Sequence, residues 1–157
     1  MIDDFFDSIP GILTPLGPDT KPKWGSMTSA EMLDHLITGL HLGMSKEEFE
    51  ITTPEDKIPK FQAFLMSDRP LVKMADMPEP YVRFKSQDPG DLEDLKEKLI
   101  HDLRRFREKM DDPDHFSVHP IFGKLNNEAT RMLHYKHLRH HLTQFGLIPE
   151  DNPTANG

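Results

Sequence analysis

Four of the nine histidines in this 157-residue chain fall between positions 134 and 141. In an α-helix, residues four positions apart lie on one face with their Cβ atoms about 5–6 Å apart, which pairs His137 with His141. Two imidazoles in this relation can bind one ion, each nitrogen at about 2.0–2.1 Å from it. The spacing therefore permits a divalent metal site on one face of a C-terminal helix.

A third inward-facing histidine is expected on an earlier helix. His35 shares a helical face with Met32 and Gly39, which predicts that it points towards the core. A lone inward histidine is usually a satisfied core residue, but three buried imidazoles each need a partner for an acceptor nitrogen. We therefore predict His35, His137 and His141 as metal ligands. Three neutral ligands leave one coordination position open, as catalytic sites do.

Four further residues are candidates for the pocket or for the support of the ligands. Gly39 either makes room above a ligand or allows close helix packing. Glu31 can orient an imidazole, although a capping box already accounts for it. His134 either lines the cavity or packs as an ordinary helix histidine. Gln144 either hydrogen-bonds to a ligand from behind or seals the pocket.

The remaining histidines are assigned simpler roles. His119, in the turn before the last helix, is expected to be structural and hydrogen-bonded. His140 lies at the flank, where a supporting or interface role competes with plain exposure. Trp24, the only tryptophan, is expected to be a hydrophobic anchor rather than a substrate contact. Three histidines are expected in solvent: His41, His101 and His115.

Composition narrows the partners and the compartment. The chain has 19 Lys and Arg against 27 Asp and Glu, a net charge of −8, which disfavours nucleic acid and anionic membranes as partners. It has no cysteine, so a metal would be held by N and O ligands. The acidic N-terminus and the lack of a long apolar stretch predict a cytoplasmic protein without a signal peptide or membrane span.

Prolines divide the chain into helical segments because each removes a backbone donor and disfavours helix in the residue before it. Thr28 and Glu31 form a capping box, and leucines every three or four residues mark a later amphipathic helix. The predicted helices run from about Met27 to Met44, from Thr53 through Leu65, from Pro89 to Met110, and from Asn126 or Asn127 to Phe145.

Two regions carry weaker signals. The first 23 residues have apolar side chains at helical spacing, but Pro10 and Pro15 predict a helix broken into short pieces. The only segment with the alternation of a strand, at 81–84, is too short to form a sheet.

The sequence thus predicts an all-α domain over 1–148. It would be a bundle of four main helices with one additional short helix and long proline-rich connections, followed by a polar, flexible tail at 149–157.

Two stretches resemble the DinB superfamily: KWGSMTSAEMLDHL at 23–36 and HPIFGKLNNEATRMLHYKHLRHHLTQFG at 119–146. They are most similar to a branch with a WGxM…MLxHL opening and an HPxFG…KHxxHHLxQFG ending. The resemblance implies an up-down-down-up four-helix bundle, often dimeric, with a divalent metal. One histidine of the second helix and an H-x3-H pair of the last would hold it, which by motif are His35, His137 and His141. Arg139, Thr143 and the pair at 129–130 depart from the family pattern, and none of them removes a ligand.

We therefore expect a metal-dependent enzyme with a small-molecule substrate, either a hydrolase or a thiol-dependent transferase, in which the metal activates a water or a thiolate. Zinc or nickel is the first expectation, with manganese or iron as alternatives. The other hypothesis is a non-catalytic helical binding or interaction module with a structural metal. The paired Glu-x-x-His elements of di-iron bundles and the HExxH motif of zinc proteases are absent from the sequence.

Overall fold

The structure, a computed structural model, describes residues 1–73 and 77–150. The described part is mostly helical, with a 3-10 turn at Glu55–Lys57 and a small antiparallel hairpin. The helices are α1 (Ile2–Leu13), α2 (Ser29–Met44), α3 (Ile58–Met66), α4 (Glu79–Arg83), α5 (Leu92–Lys109) and α6 (Asn127–Gln144). The strands are β1 (Ser117–His119) and β2 (Gly123–Leu125).

The predicted cap of α2 is confirmed. The Thr28 hydroxyl accepts a hydrogen bond from the Glu31 backbone N–H at 3.1 Å, and the Glu31 carboxylate accepts one from the Thr28 N–H at 3.0 Å. These bonds satisfy two N–H groups that a helix start leaves unpaired. They also lower the pKa of Glu31. Glu31 therefore works as a helix cap.

The other main helices begin and end at residues with the expected chemistry. The side chains of Asp91 and Asn126 cap α5 and α6 by accepting from backbone N–H groups three residues later. Gly146 follows α6 with a φ of 71°, a conformation that glycine adopts without strain. Asn126, rather than Asn127, is thus the cap of the last helix.

The main core lies between α1, α2, α5 and α6, whose apolar faces meet. Leu36 of α2, Leu99 and Phe106 of α5, and Leu138 and Leu142 of α6 are almost completely buried. Burial of a side chain of this size contributes about 1.5–3 kcal/mol, and this contribution fixes which face of each helix turns inward. A second, smaller core beneath the hairpin joins α3 to α6.

The prediction of a broken first helix is wrong. Helix α1 runs without interruption through Pro10 and ends at Leu13, two residues before Pro15. Pro10 removes one hydrogen bond to the carbonyl of Phe6, but its ring lies on the exposed side. Three buried side chains hold the opposite side of the helix in the core and outweigh that loss: Phe6, Ile9 and Leu13.

The all-α prediction is also corrected in two details. The described chain contains a two-stranded hairpin, with Ser117 opposite Leu125 and His119 opposite Gly123. Strands of three residues are too short to show a period of two in the sequence. There are also two additional short helices, α3 and α4, instead of one.

The end of the chain is only partly described. The predicted tail begins at 149, and Glu150 forms an ion pair with Lys73. Residues 151–157 lie outside the described residues. In the ranges 1–73 and 77–150, no helix combines the length and the apolar character needed to cross a bilayer.

Candidate metal centre

The structure brings together the three histidines that the sequence selected. His35 projects from α2, and His137 and His141 project from α6. Nε2 of His35 lies 2.8 Å from Nε2 of His137. The three ring centroids are 4.7 to 4.8 Å apart, and one nitrogen from each ring lies within 4.8 Å of the others. The three rings therefore surround one point between the two helices.

The antiparallel packing of α2 against α6 produces this convergence. His35 faces His141, and one turn further along α2 Gly39 faces His137. A Cβ on Gly39 would lie 3.1 Å from Nδ1 of His137 and 3.0 Å from the Tyr81 hydroxyl oxygen. Contacts this short would force one of those groups to move, so the glycine leaves space for the His137 ring and the Tyr81 hydroxyl to pack closely against α2.

Replacing Gly39 with alanine should lower the affinity for a divalent ion at least tenfold. The added methyl group would displace the His137 ring, while alanine is the better helix former by about 1 kcal/mol, so the fold should persist. Calorimetric titration of metal-free protein with zinc measures the affinity. Gly11→Ala is the matched control because a Cβ on that helical glycine would meet nothing within 4 Å. Equal zinc affinity in the two variants would contradict the role given to Gly39.

Gln144 fixes which nitrogen of His141 is free to bind. Its side-chain NH2 donates to the Trp24 carbonyl oxygen at 2.9 Å, which turns its Oε1 towards Nδ1 of His141 at 2.7 Å. An amide oxygen only accepts, so Nδ1 of His141 carries the proton and donates it. The lone pair of Nε2 is thereby left for a ligand. Of the two roles considered for Gln144, hydrogen bonding to His141 is the one observed.

Replacing Gln144 with leucine should weaken zinc binding by about 10–100-fold, the usual effect of losing the partner that orients a ligating histidine. Zinc titration followed by calorimetry provides the measurement. Gln87→Leu, at an exposed position, serves as the control. The orienting role would be refuted if Gln144→Leu bound zinc as tightly as Gln87→Leu.

Burial keeps the three imidazoles neutral. Removal from water lowers the pKa of His35 to about 4 and that of His141 to about 3, and it holds the pKa of His137 well below its ordinary value. The positive charge that a protonated neighbour would carry lowers the pKa values of His137 and His141 further, whereas the Asp34 carboxylate partly opposes the lowering at His35. At neutral pH each ring is therefore a neutral imidazole with one unprotonated nitrogen. Within the described residues no carboxylate joins the cluster, so a bound divalent ion would keep its charge.

Tyr81 of α4 was missed by the sequence analysis. Its ring lies 4.8 Å from the His35 ring and 5.6 Å from the His137 ring, and only 6% of its surface is exposed. Burial raises the pKa of the Tyr81 phenol, so the hydroxyl keeps its proton. In the sequence the stretch 81–84 shows only a short, strand-like alternation. The available signal was Pro80, next to the start of a short helix.

His134 lies outside the triad. It packs edge-on against Phe106 with ring centroids 5.1 Å apart and is 3% exposed. Gly43 of α2 makes room for it, since a Cβ there would meet Nε2 of His134 at 2.6 Å. Burial lowers the pKa of His134 to about 3. The structure thus places it as a packed helix histidine beside the ligand set.

His119 has the predicted structural role, whereas the prediction for His115 is wrong. Nδ1 of His119 accepts from the backbone N–H of Ile121 at 3.0 Å, inside the hairpin turn. His115 was expected in solvent but is 7% exposed, and its Nε2 lies 2.9 Å from the Gly43 carbonyl oxygen. The loop after α5 folds back over the end of α2, a long-range contact that has no local sequence signal.

The remaining histidines and Trp24 differ in exposure. His41 and His101 are exposed as predicted, and Nε2 of His41 lies 2.8 Å from Oδ2 of the buried Asp102. His140 lies 4.9 Å from the His141 ring and 5.6 Å from the Trp24 ring. Trp24 is only half-buried and lines a groove instead of anchoring the core, which corrects its prediction.

Comparisons with protein-family models, with curated proteins and with solved structures find no significant match to this chain. Inference about function therefore depends on the chemistry of the site.

Proposed function

We propose that this protein is a divalent-metal-dependent enzyme whose metal is held by His35, His137 and His141. The observation that carries the proposal is the convergence of three neutral imidazoles, with no carboxylate oxygen in the cluster of ligand atoms in the described chain. Three nitrogen ligands and an open position are typical of catalytic rather than structural zinc sites. Zinc and nickel suit this imidazole set best, and manganese or iron are the alternatives.

The donor nitrogens lie near the spacing that such an ion requires, all three within 4.8 Å of one another. Around a tetrahedral ion with bonds of about 2.0–2.1 Å, ligand nitrogens stand about 3.3 Å apart. The Nε2 atoms of His35 and His137 are 2.8 Å apart. They would need to separate by only about half an ångström, which a small rotation of the two side chains provides. The Gln144 amide orients the His141 ring through a hydrogen bond. The absence of a side chain at Gly39 leaves space for the His137 ring.

The protein contributes position and shielding. A bound divalent ion would supply Lewis-acid chemistry, acidifying a water or holding a thiolate for attack. His35, His137 and His141 would hold the ion through neutral nitrogens, which would leave one coordination position for a water or a substrate. Tyr81 covers the side facing α4 and excludes water there. Hydrolysis and thiol-dependent group transfer both follow from this arrangement.

We also propose that the protein is a DinB-like one, on the basis of the two motif stretches and the ligand set that they imply. On this proposal α1, α2, α5 and α6 form an up-down-down-up four-helix bundle, with a homodimer and a cytoplasmic location as further expectations. The mutual packing of those four helices around one core supports the proposed arrangement.

The test uses protein stripped of metal by a chelator and reloaded with zinc, nickel, manganese or iron. At least one ion should restore turnover on a panel of hydrolase and thiol-transfer substrates, and His137→Ala treated in the same way should stay inactive. If the metal raises the melting temperature but no ion supports turnover, the enzyme proposal fails and the structural-metal hypothesis takes its place.

A further inference from the structure

A groove of about 230 Å³ lies along α6, on the side of the helix covered by the segment that follows α3. Residues 67–71 and Lys73 form one wall, and successive turns of α6 form the other. Much of its surface is apolar: Trp24, Leu71, Met132 and Tyr135. None of the three triad histidines lines it, and most of its α6 residues lie on the opposite side of that helix from His137 and His141, so it is a cavity separate from the candidate metal centre.

The charges around this groove oppose those of the chain as a whole. Among the described residues that line it, four are cationic and two are acidic: Arg69, Lys73, Lys136 and Arg139 against Asp68 and Glu150. This described lining is richer in positive charge than the chain as a whole, which carries −8. An anion is therefore attracted to this part of an otherwise acidic surface.

Two of the lysines are held over apolar surface. Lys73 lies 4.4 Å above the Trp24 ring and pairs with Glu150. Lys136 is 6% exposed, and its ammonium donates to the Phe64 carbonyl oxygen at 3.1 Å. Burial lowers the pKa of the Lys136 ammonium and the charge of Asp68 partly opposes this, but no carboxylate lies within ion-pair distance of Lys136 in the described residues. A buried ammonium with three donors and one such bond is a ready partner for an anionic group.

His140 connects the groove to the metal centre. It lines the groove, and its ring lies 4.9 Å from that of His141. Trp24 makes the same connection through its backbone, since its carbonyl accepts from the Gln144 amide that orients His141. A molecule seated in the groove would therefore lie one side chain away from a ligand of the metal.

We propose that the groove binds a small organic anion with an apolar body. The apolar body would pack against Trp24 and Met132, and the anionic group would meet Lys136 and Lys73. This binding needs no metal and goes beyond the proposed enzymatic function.

The binding test uses metal-free protein and three probes with one alkyl chain: octanoate, octan-1-ol and octyltrimethylammonium. Calorimetry gives the affinities, and the fluorescence of Trp24, the only tryptophan, reports whether the probe enters the groove. Octanoate should bind at least tenfold more tightly than the other two and should change the Trp24 emission. Equal affinity for octanoate and octan-1-ol, or binding without a change in emission, would overturn the proposal.

Variants locate the anionic group. Lys136→Met and Lys73→Met should each weaken octanoate binding at least fivefold, while Lys98→Met, at an exposed position of α5, should leave it unchanged. Lys73 is exposed, so its variant remains informative if Lys136→Met fails to fold. Octanoate affinities that match the Lys98→Met value in the folded variants would overturn the proposal.

Separate outcomes distinguish this proposal from the enzymatic one. Octanoate binding by a protein that takes up no metal would keep the anion site while the enzymatic proposal failed. In cobalt-loaded protein, octanoate should shift the visible absorption of the metal, because the His140 ring lies between the groove and His141. An unshifted spectrum with octanoate bound would overturn the link between the groove and the centre while leaving metal binding intact.

Discussion

Replacing His35, His137 or His141 with alanine should lower zinc affinity by more than about 100-fold. Loss of a partner that merely orients a ligand already weakens binding by about 10–100-fold, and each of these substitutions removes a ligand itself. Two imidazoles and solvent would remain, without the geometry that three converging rings provide. Zinc content after gel filtration and calorimetric affinity both measure the effect.

Two control variants make this prediction specific. His101→Ala removes an exposed histidine of α5 and should retain zinc in full. His134→Ala removes a buried histidine on the same helix as two ligands and should destabilise the fold while zinc is still bound in a 1:1 ratio. Equal zinc retention by all five variants would refute the ligand assignment.

The metal-free protein should lose stability steeply as the pH falls below about 6. Burial lowers the pKa of His119 to about 4 and that of His134 to about 3, whereas an unfolded histidine titrates near about 6.5. Between those values the unfolded chain binds the proton and the folded chain does not, so acid favours unfolding. Each of the two should cost about 2 kcal/mol by pH 5, at about 1.4 kcal/mol per pH unit.

Urea unfolding at several pH values checks this prediction. Between pH 7 and pH 5 the free energy of unfolding should fall by about 4 kcal/mol or more. In His134→Leu, which has nothing to protonate at that position, the fall should be about 2 kcal/mol smaller, whereas exposed His101→Gln should follow the wild type. An identical pH dependence in His134→Leu and the wild type would show that burial of His134 does not set the acid limit.

The features that the sequence predicted well depend on neighbours along the chain. The cap at Thr28 and the caps of α5 and α6 need only residues within one turn. The pairing of His137 with His141 is likewise a property of one helix. The meeting of His35 with the two histidines of α6 involves a second helix. It could be predicted because the apolar face of each helix must turn to the shared core.

The features that were missed depend on contacts between distant segments. Pro10 stays inside α1 because tertiary burial of the opposite side outweighs one lost hydrogen bond. Tyr81 reaches the triad from a five-residue helix that follows a proline. His115 is buried by a partner 72 residues away. Local propensity contains none of this information, because the deciding energies come from packing.

X-ray absorption spectroscopy of the zinc-loaded protein tests the central claim most directly, since it counts the atoms bound to the metal. Our account predicts one zinc per chain with three imidazole nitrogens at about 2.0–2.1 Å and an oxygen ligand that added azide or thiol displaces. Failure to retain zinc, fewer than three imidazole ligands, or a fourth protein ligand that resists exchange would contradict it.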